Sequence, residues 1–151
     1  MKVRATENDL SLGIILNNPP SGVAFGLQKG RGPAYETVQK QISSGEDLRF
    51  EFHVRVKNDR TGEPDFRGPF VQGPRGGRFV YLDIGTYAGQ SGSSWGRRLK
   101  IPLTGVNEKT VAYLSKNTHA VLETRVPGTG KDGGPACGTV KAFGGWRVVS
   151  G

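Results

Sequence analysis

The sequence predicts an all-β protein, an antiparallel β-sandwich or barrel with one short helix near residues 107–116. Three observations lead there. Leu48–Lys57, LRFEFHVRVK, alternates Leu48, Phe50, Phe52, Val54 and Val56 with Arg49, Glu51, His53, Arg55 and Lys57. Such period-two alternation describes a strand with one buried face and one wet face. The 24 glycines and 9 prolines fall between short apolar runs, as a many-turned β domain requires. Strand candidates then recur at intervals of roughly 10–15 residues, a rhythm suited to a sandwich or barrel.

Leu10–Leu16, Val23–Gln28 and Tyr35–Ser43 are the first candidates, separated by NNPPSG and KGRGP. Both separators carry turn chemistry. Leu48–Lys57 follows SSGED, and its one polar face assigns it to an antiparallel sheet, because strands of parallel sheets are usually apolar on both sides. Phe66–Gln72 follows NDRTGEPD. In Arg78–Gly85, Val80, Leu82 and Ile84 share one face while Phe79, Tyr81 and Asp83 share the other. Both faces are at least partly covered, so this strand is expected to be central. An unpaired carboxylate on a covered face is costly, so Asp83 is expected to meet an arginine of the neighbouring basic stretch. Leu99–Leu103, Ala120–Val126, Gly138–Phe143 and Trp146–Val149 complete the strand set. Between them, Asn107–Lys116 places Val111 and Leu114 at helical spacing behind an Asn cap, with Glu108 in the first turn.

A chain of 151 residues fits one domain spanning residues 1–151, since domains commonly run to roughly 100–200 residues. No apolar run approaches the ~20 residues of a membrane span. The opening MKVRATENDL has no apolar core of a signal peptide. Cys137 is the only cysteine, which excludes an intramolecular disulfide and favours a reducing compartment. A cytoplasmic location without a membrane partner is therefore expected.

The charge is uneven. Residues 1–65 balance their acids and bases, whereas residues 66–100 set Arg67, Arg75, Arg78, Arg97, Arg98 and Lys100 against Asp83 alone. The formal net charge of +8 therefore belongs to the centre and C-terminal half and favours anionic partners in general.

Familiar catalytic patterns fail one by one. GTGKD at Gly128–Asp132 resembles the end of a phosphate-binding loop, but Arg125 stands where its first glycine belongs and Asp132 where Ser or Thr should follow. A turn explains it better. LQKGRG at Leu27–Gly32 offers glycine amides beside Lys29 and Arg31, yet a simple turn between strands explains it better. NDRTGEPD lacks the ligand spacing of a calcium loop. His53 and His119 have no metal-binding spacing, and His53 falls on the polar face of its strand. No metal and no cofactor is expected. QSGSSWG lacks the nucleophile elbow and reads as a mobile loop carrying Trp95. Cys137, in GGPACGTV, is expected to be buried and structural, although a thiolate beside a cation would make it a nucleophile.

What survives is a basic and aromatic cluster: Arg67, Arg78, Tyr81, Asp83, Tyr87, Trp95, Arg97 and Arg98. If their strands are neighbours, they form an arginine-lined site with stacking faces, since guanidinium groups grip carboxylate or phosphate and rings stack on planar ligands. The plainer alternative has Arg78 or Arg97 neutralise Asp83 while Trp95 fills the core.

Asp65–Gly89, DFRGPFVQGPRGGRFVYLDIGTYAG, joins RRLKIPL at Arg97–Leu103, GTGKDGGPACGTVK at Gly128–Lys141 and FGLQKGRGPAYETVQ at Phe25–Gln39. Together these motifs resemble an uncharacterised family of small bacterial proteins, a domain of unknown function. The resemblance covers nearly the whole chain and implies a stand-alone bacterial protein. It implies no activity and supplies no catalytic residues.

The functional expectation is a non-enzymatic β-domain that binds a small anionic or aromatic ligand through the arginine and aromatic cluster. A single-stranded nucleic-acid module is the alternative, permitted by charge but lacking the signature motifs. An enzyme using Asp83 or Cys137 ranks last, because no complete catalytic constellation accompanies either residue.

Overall fold

The computed structural model describes residues 9–30, 35–58, 64–72, 79–87, 93–103, 121–140 and 145–150. Among them lie ten strands: β1 (Asp9–Asn17), β2 (Val23–Lys29), β3 (Glu36–Ile42), β4 (Leu48–Asn58), β5 (Pro64–Arg67), β6 (Phe79–Tyr87), β7 (Ser93–Pro102), β8 (Val121–Pro127), β9 (Gly138–Thr139) and β10 (Arg147–Ser150). They form two five-stranded sheets. The first has the order β10-β8-β1-β4-β5 and the second β3-β2-β6-β7-β9.

The sheets share one core rather than closing into a barrel, so the arrangement is sandwich-like. Leu12, Ile14 and Leu16 of β1, Phe50, Phe52 and Val54 of β4, and Leu122 of β8 face Phe25 and Leu27 of β2, Leu82 of β6, and Leu99 and Ile101 of β7. These side chains lie where the period-two pattern puts them, because successive residues of a strand point to opposite faces. Trp146 closes the core near its rim, its indole N–H donating to the Pro102 carbonyl at 3.0 Å.

Pairing is mostly antiparallel, but the sheets are mixed. β1 runs antiparallel to β4 and parallel to β8, and β7 runs parallel to β9. The alternation of β4 assigned that strand correctly, since both its neighbours, β1 and β5, are antiparallel to it. β1 carries the parallel contact because it is buried on both sides: Gly13 and Ile15 are covered as well as Leu12 and Ile14. β6 is the middle strand of the second sheet, as its doubly covered pattern requires.

Three expected elements differ, one of them Gly138–Phe143, of which only Gly138–Thr139 is a strand among the described residues. The run Phe66–Gln72 is not one strand. β5 ends at Arg67, Gly68 takes a φ of +134° that side chains rarely adopt, and Gln72 only bridges Phe79. The QSGSSWG segment is not wholly a loop, because β7 already begins at Ser93 and includes Trp95. The helix expected at 107–116 lies outside the described residues.

At one side of the sandwich the sheets are tied by side chains. The Gln39 amide donates to the Glu51 carbonyl at 2.8 Å and the Gln41 amide to the Arg49 carbonyl at 2.9 Å. The edge strand β3 thereby covers a stretch of β4 that β5 does not reach. Gln39 itself takes a φ of +51°, within a break of register between β2 and β3.

Candidate functional site

The candidate site is the outer face of the second sheet. Alternation along β6 turns Tyr81 and Asp83 away from the core that holds Val80, Leu82 and Ile84. Register sets Asp83 opposite Arg98 and Tyr81 opposite Lys100 on β7, and Gly26 opposite Asp83 on β2. Trp95 reaches the same face through a β-bulge. Ile84 pairs with Arg97 and Gly85 with Trp95, which leaves Gly96 as the extra residue. Without that insertion Trp95 and Arg98 would lie on opposite sides of β7.

Gly26 makes the cover possible. A Cβ there would stand 2.2 Å from Thr37 Cγ2, 3.3 Å from Trp95 Cη2 and 3.6 Å from Lys40 Cγ. Thr37, Trp95 and Lys40 therefore converge over a residue that has no side chain. From this seat the Thr37 hydroxyl donates to Asp83 Oδ2 at 2.8 Å. Arg98 Nε approaches Oδ1 at a longer 3.4 Å. Asp83 is only 3% exposed, so these contacts offset the cost of burying a carboxylate.

Arg98 is the centre of the cluster. Its Cζ lies 4.7 Å from the Tyr81 ring centroid and 5.9 Å from that of Tyr35, over the face of each ring. Lys100 Nζ lies 5.8 Å over Tyr81, whose neighbour on the strand face is Phe79 at 6.3 Å between centroids. Arginine suits this position because its weakly hydrated, planar cation stacks on aromatic faces while keeping in-plane donors.

The outer face of the first sheet offers a contrast. There Arg49 lies over Gly13 and is held by Glu51 at 2.6 Å and by Glu123. The hydrogen bond to Glu51, opposed by partial burial and helped by Glu123, raises the Arg49 pKa, so this guanidinium stays charged. Arg125 is likewise taken by Asn17 at 3.0 Å and Asp47 at 3.3 Å. His53 is exposed and contacts Ser11 through Nδ1 at 3.3 Å. The first sheet spends these arginines on carboxylates, whereas the second backs Arg98 and Lys100 with tyrosine rings.

The expected site residues divide accordingly. Tyr81, Asp83, Trp95 and Arg98 come together. Arg97 is exposed but opposite Ile84, on the other side of β7 from Arg98. Arg67 belongs to β5 at the edge of the first sheet, paired with Arg55, so it does not join the cluster. Tyr87 ends β6 opposite Ser93, and Arg78 lies outside the described residues. Among the described residues the partner of Asp83 is Arg98, not Arg97, and Trp95 sits on the outer face, not in the core. Tyr35, Thr37 and Lys100 were missed. A glycine inside the apolar run VAFGLQK is the signal that could have flagged a close approach at Gly26.

The GTGKDGG motif resolves as a turn, while most of NDRTGEPD, and His119, lie outside the described residues. Asp132 Oδ1 accepts from the Gly134 amide at 3.0 Å, which makes GTGKDGG a turn and not a phosphate cradle. The Gly30 amide donates to the Pro69 carbonyl at 2.6 Å, so the start of the KGRG segment is pinned to the turn after β5. Cys137 is exposed, contrary to its expected burial, because it stands in the extended stretch before the short edge strand β9. Among the described residues no helix is long and apolar enough to cross a membrane.

These features define a mixed-sheet β-sandwich with an arginine–tyrosine–carboxylate cluster on the outer face of one sheet. The chain belongs to a family described as a family of unknown function (DUF5990), whose match spans residues 10–149. No curated protein and no solved structure matches it.

Proposed function

We propose that this is a non-enzymatic binding domain of the cytoplasm that holds a small anionic or aromatic ligand on the outer face of its second sheet. One observation carries the reading: the Arg98 guanidinium carbon lies 4.7 Å over the Tyr81 ring and Nε meets Asp83, while the side chain keeps 36% of its surface exposed. A cation ordered in advance loses less conformational entropy on binding, which favours a recognition role over a solvated surface charge. Asp83 is engaged by Thr37 and Arg98, which speaks against its use as a catalytic base. The lone thiol supports the cytoplasmic assignment.

Native mass spectrometry of the purified protein at low and moderate salt tests the reading. A discrete co-purifying small mass that is lost in an Arg98 variant is the expected result. Bound oligonucleotide that dissociates as salt rises would replace it with the nucleic-acid alternative.

A further inference from the structure

We infer that the ligand is recognised through a two-oxygen anionic group, a carboxylate or a phosphate, taken in the plane of the Arg98 guanidinium with Lys100 as the second positive charge. The inference rests on the ligand-binding reading above and narrows it from anionic or aromatic to anionic.

The argument concerns which groups are still available. Arg98 Nε donates to Asp83 Oδ1 at 3.4 Å, and Cζ lies over the Tyr81 and Tyr35 rings. Among the described residues Nη1 and Nη2 make no hydrogen bond, so the donors left over form the flat terminal edge of the fork. That edge matches two oxygens of one carboxylate or phosphate. Of the rings, Tyr35 is exposed but has Arg98 over it, while the inner rings are less free. Tyr81 is half-buried and already carries Arg98 and Lys100 over its ring, with Phe79 beside it. Trp95 is half-buried against the Gly26 seat. The inner rings, Tyr81, Phe79 and Trp95, thus leave little face for a planar ligand, and the outer ring, Tyr35, stands beneath the Arg98 cation.

Charge completes the argument. Across Tyr81, Asp83, Arg98 and Lys100 there are two cations and one carboxylate, and that carboxylate is buried beneath Thr37 and Arg98. An arriving anion therefore meets Arg98 and Lys100 with the opposing charge covered by Thr37 and Arg98. The equivalent approach on the first sheet meets Arg49 already flanked by Glu51 and Glu123.

The test is an NMR titration of the full chain at low ionic strength, following the Arg98 Nε–H signal. The probes are inorganic phosphate, acetate and phenol. Saturable shifts of Arg98 with phosphate or acetate, and none with phenol, are expected. Whichever anion binds more tightly assigns the group as phosphate or carboxylate. Arg98→Lys keeps the charge opposite Asp83 but removes the fork, so affinity should fall at least about tenfold. Because a lone Asp83 could unfold a simpler variant, the pair Asp83→Asn with Arg98→Gln removes both charges. It should lose binding with an unchanged circular dichroism spectrum. Equal affinity in Arg98→Lys would overturn the inference. Saturable phenol binding without anion binding would overturn it too, while leaving the aromatic half of the broader reading standing. Silence from all three probes would overturn both.

Discussion

Gly26 and Asp83 face each other across β2 and β6, and the absent side chain of the first is what allows the second to be covered. Thr37 and Trp95 fill the space a Cβ would need. Gly26→Ala should therefore displace Thr37, lengthen its bond to Asp83 and destabilise the fold by about 1–3 kcal/mol, as overpacking typically does. Chemical denaturation gives the magnitude, and Trp95 fluorescence in a Trp146→Phe background reports the local shift. A variant as stable as the parent would mean that Thr37 moves aside freely.

Gly13→Ala should behave differently, although Gly13 is also an interior strand glycine. The atoms it would meet, at 2.8–3.0 Å, are the tip of the flexible Arg49 side chain. Arg49 can swing away, and alanine costs a strand less conformational entropy than glycine, so net stability should stay within about 1 kcal/mol of the parent. The coupling between Arg49 and Glu123, read by a double-mutant cycle, should fall in the Gly13→Ala background.

Thr37→Val removes the shorter of the two contacts to the Asp83 carboxylate while keeping the shape of the side chain. Leaving a buried charged acceptor short of a donor should cost about 1–3 kcal/mol. Adding Asp83→Asn should recover part of that loss, since a neutral amide is cheaper to bury than a carboxylate. No recovery would show that the Thr37 methyl group, not its hydroxyl, matters to the cover.

Gln41→Leu should loosen the tie between the two sheets. The donor it removes serves the Arg49 carbonyl near solvent, so the cost should be small, about 0.5 kcal/mol, at the low end for a hydrogen bond. Hydrogen exchange localises the effect: amides of β3 should lose protection while those of β1 keep it.

Cys137 should react with a thiol reagent stoichiometrically in the absence of denaturant, because it is exposed. The labelled protein should keep its unfolding midpoint. Reaction only after unfolding would return Cys137 to the buried role its neighbours in the sequence suggest.

How much of this was legible in the sequence depended on the range of the interaction. β4 and β6 could be read from alternation alone, because which face a residue takes is a local property of a strand. That Asp83 would meet an arginine also followed, from the cost of an unpaired buried carboxylate. Which arginine it met turned on the extra residue at Gly96, which shifts the register and brings Arg98, not Arg97, to the outer face. Arg67 was grouped with Arg98 because both lie in one basic stretch, yet β5 pairs back onto β4 and leaves for the other sheet. Tyr35 and Thr37 stayed hidden for the same reason, since nothing local says that β3 lies one strand beyond β2 from β6. The parallel pairing of β1 with β8 is equally non-local.

That last pairing has a consequence for how the molecule is made. β1 is flanked by β4 and β8, and its register with β8 joins Ser11 to Val121 and Asn17 to Pro127. During synthesis β1 and β4 can zip together early, but the far side of β1 must wait, with its backbone donors and acceptors unanswered, until more than half the remaining chain has emerged. Pairings so distant in sequence slow folding, because the intervening loop must be closed before any contact rewards it. A nascent chain halted before Val121 would present an open, strongly apolar strand edge, the kind of surface that recruits chaperones or a second copy of itself.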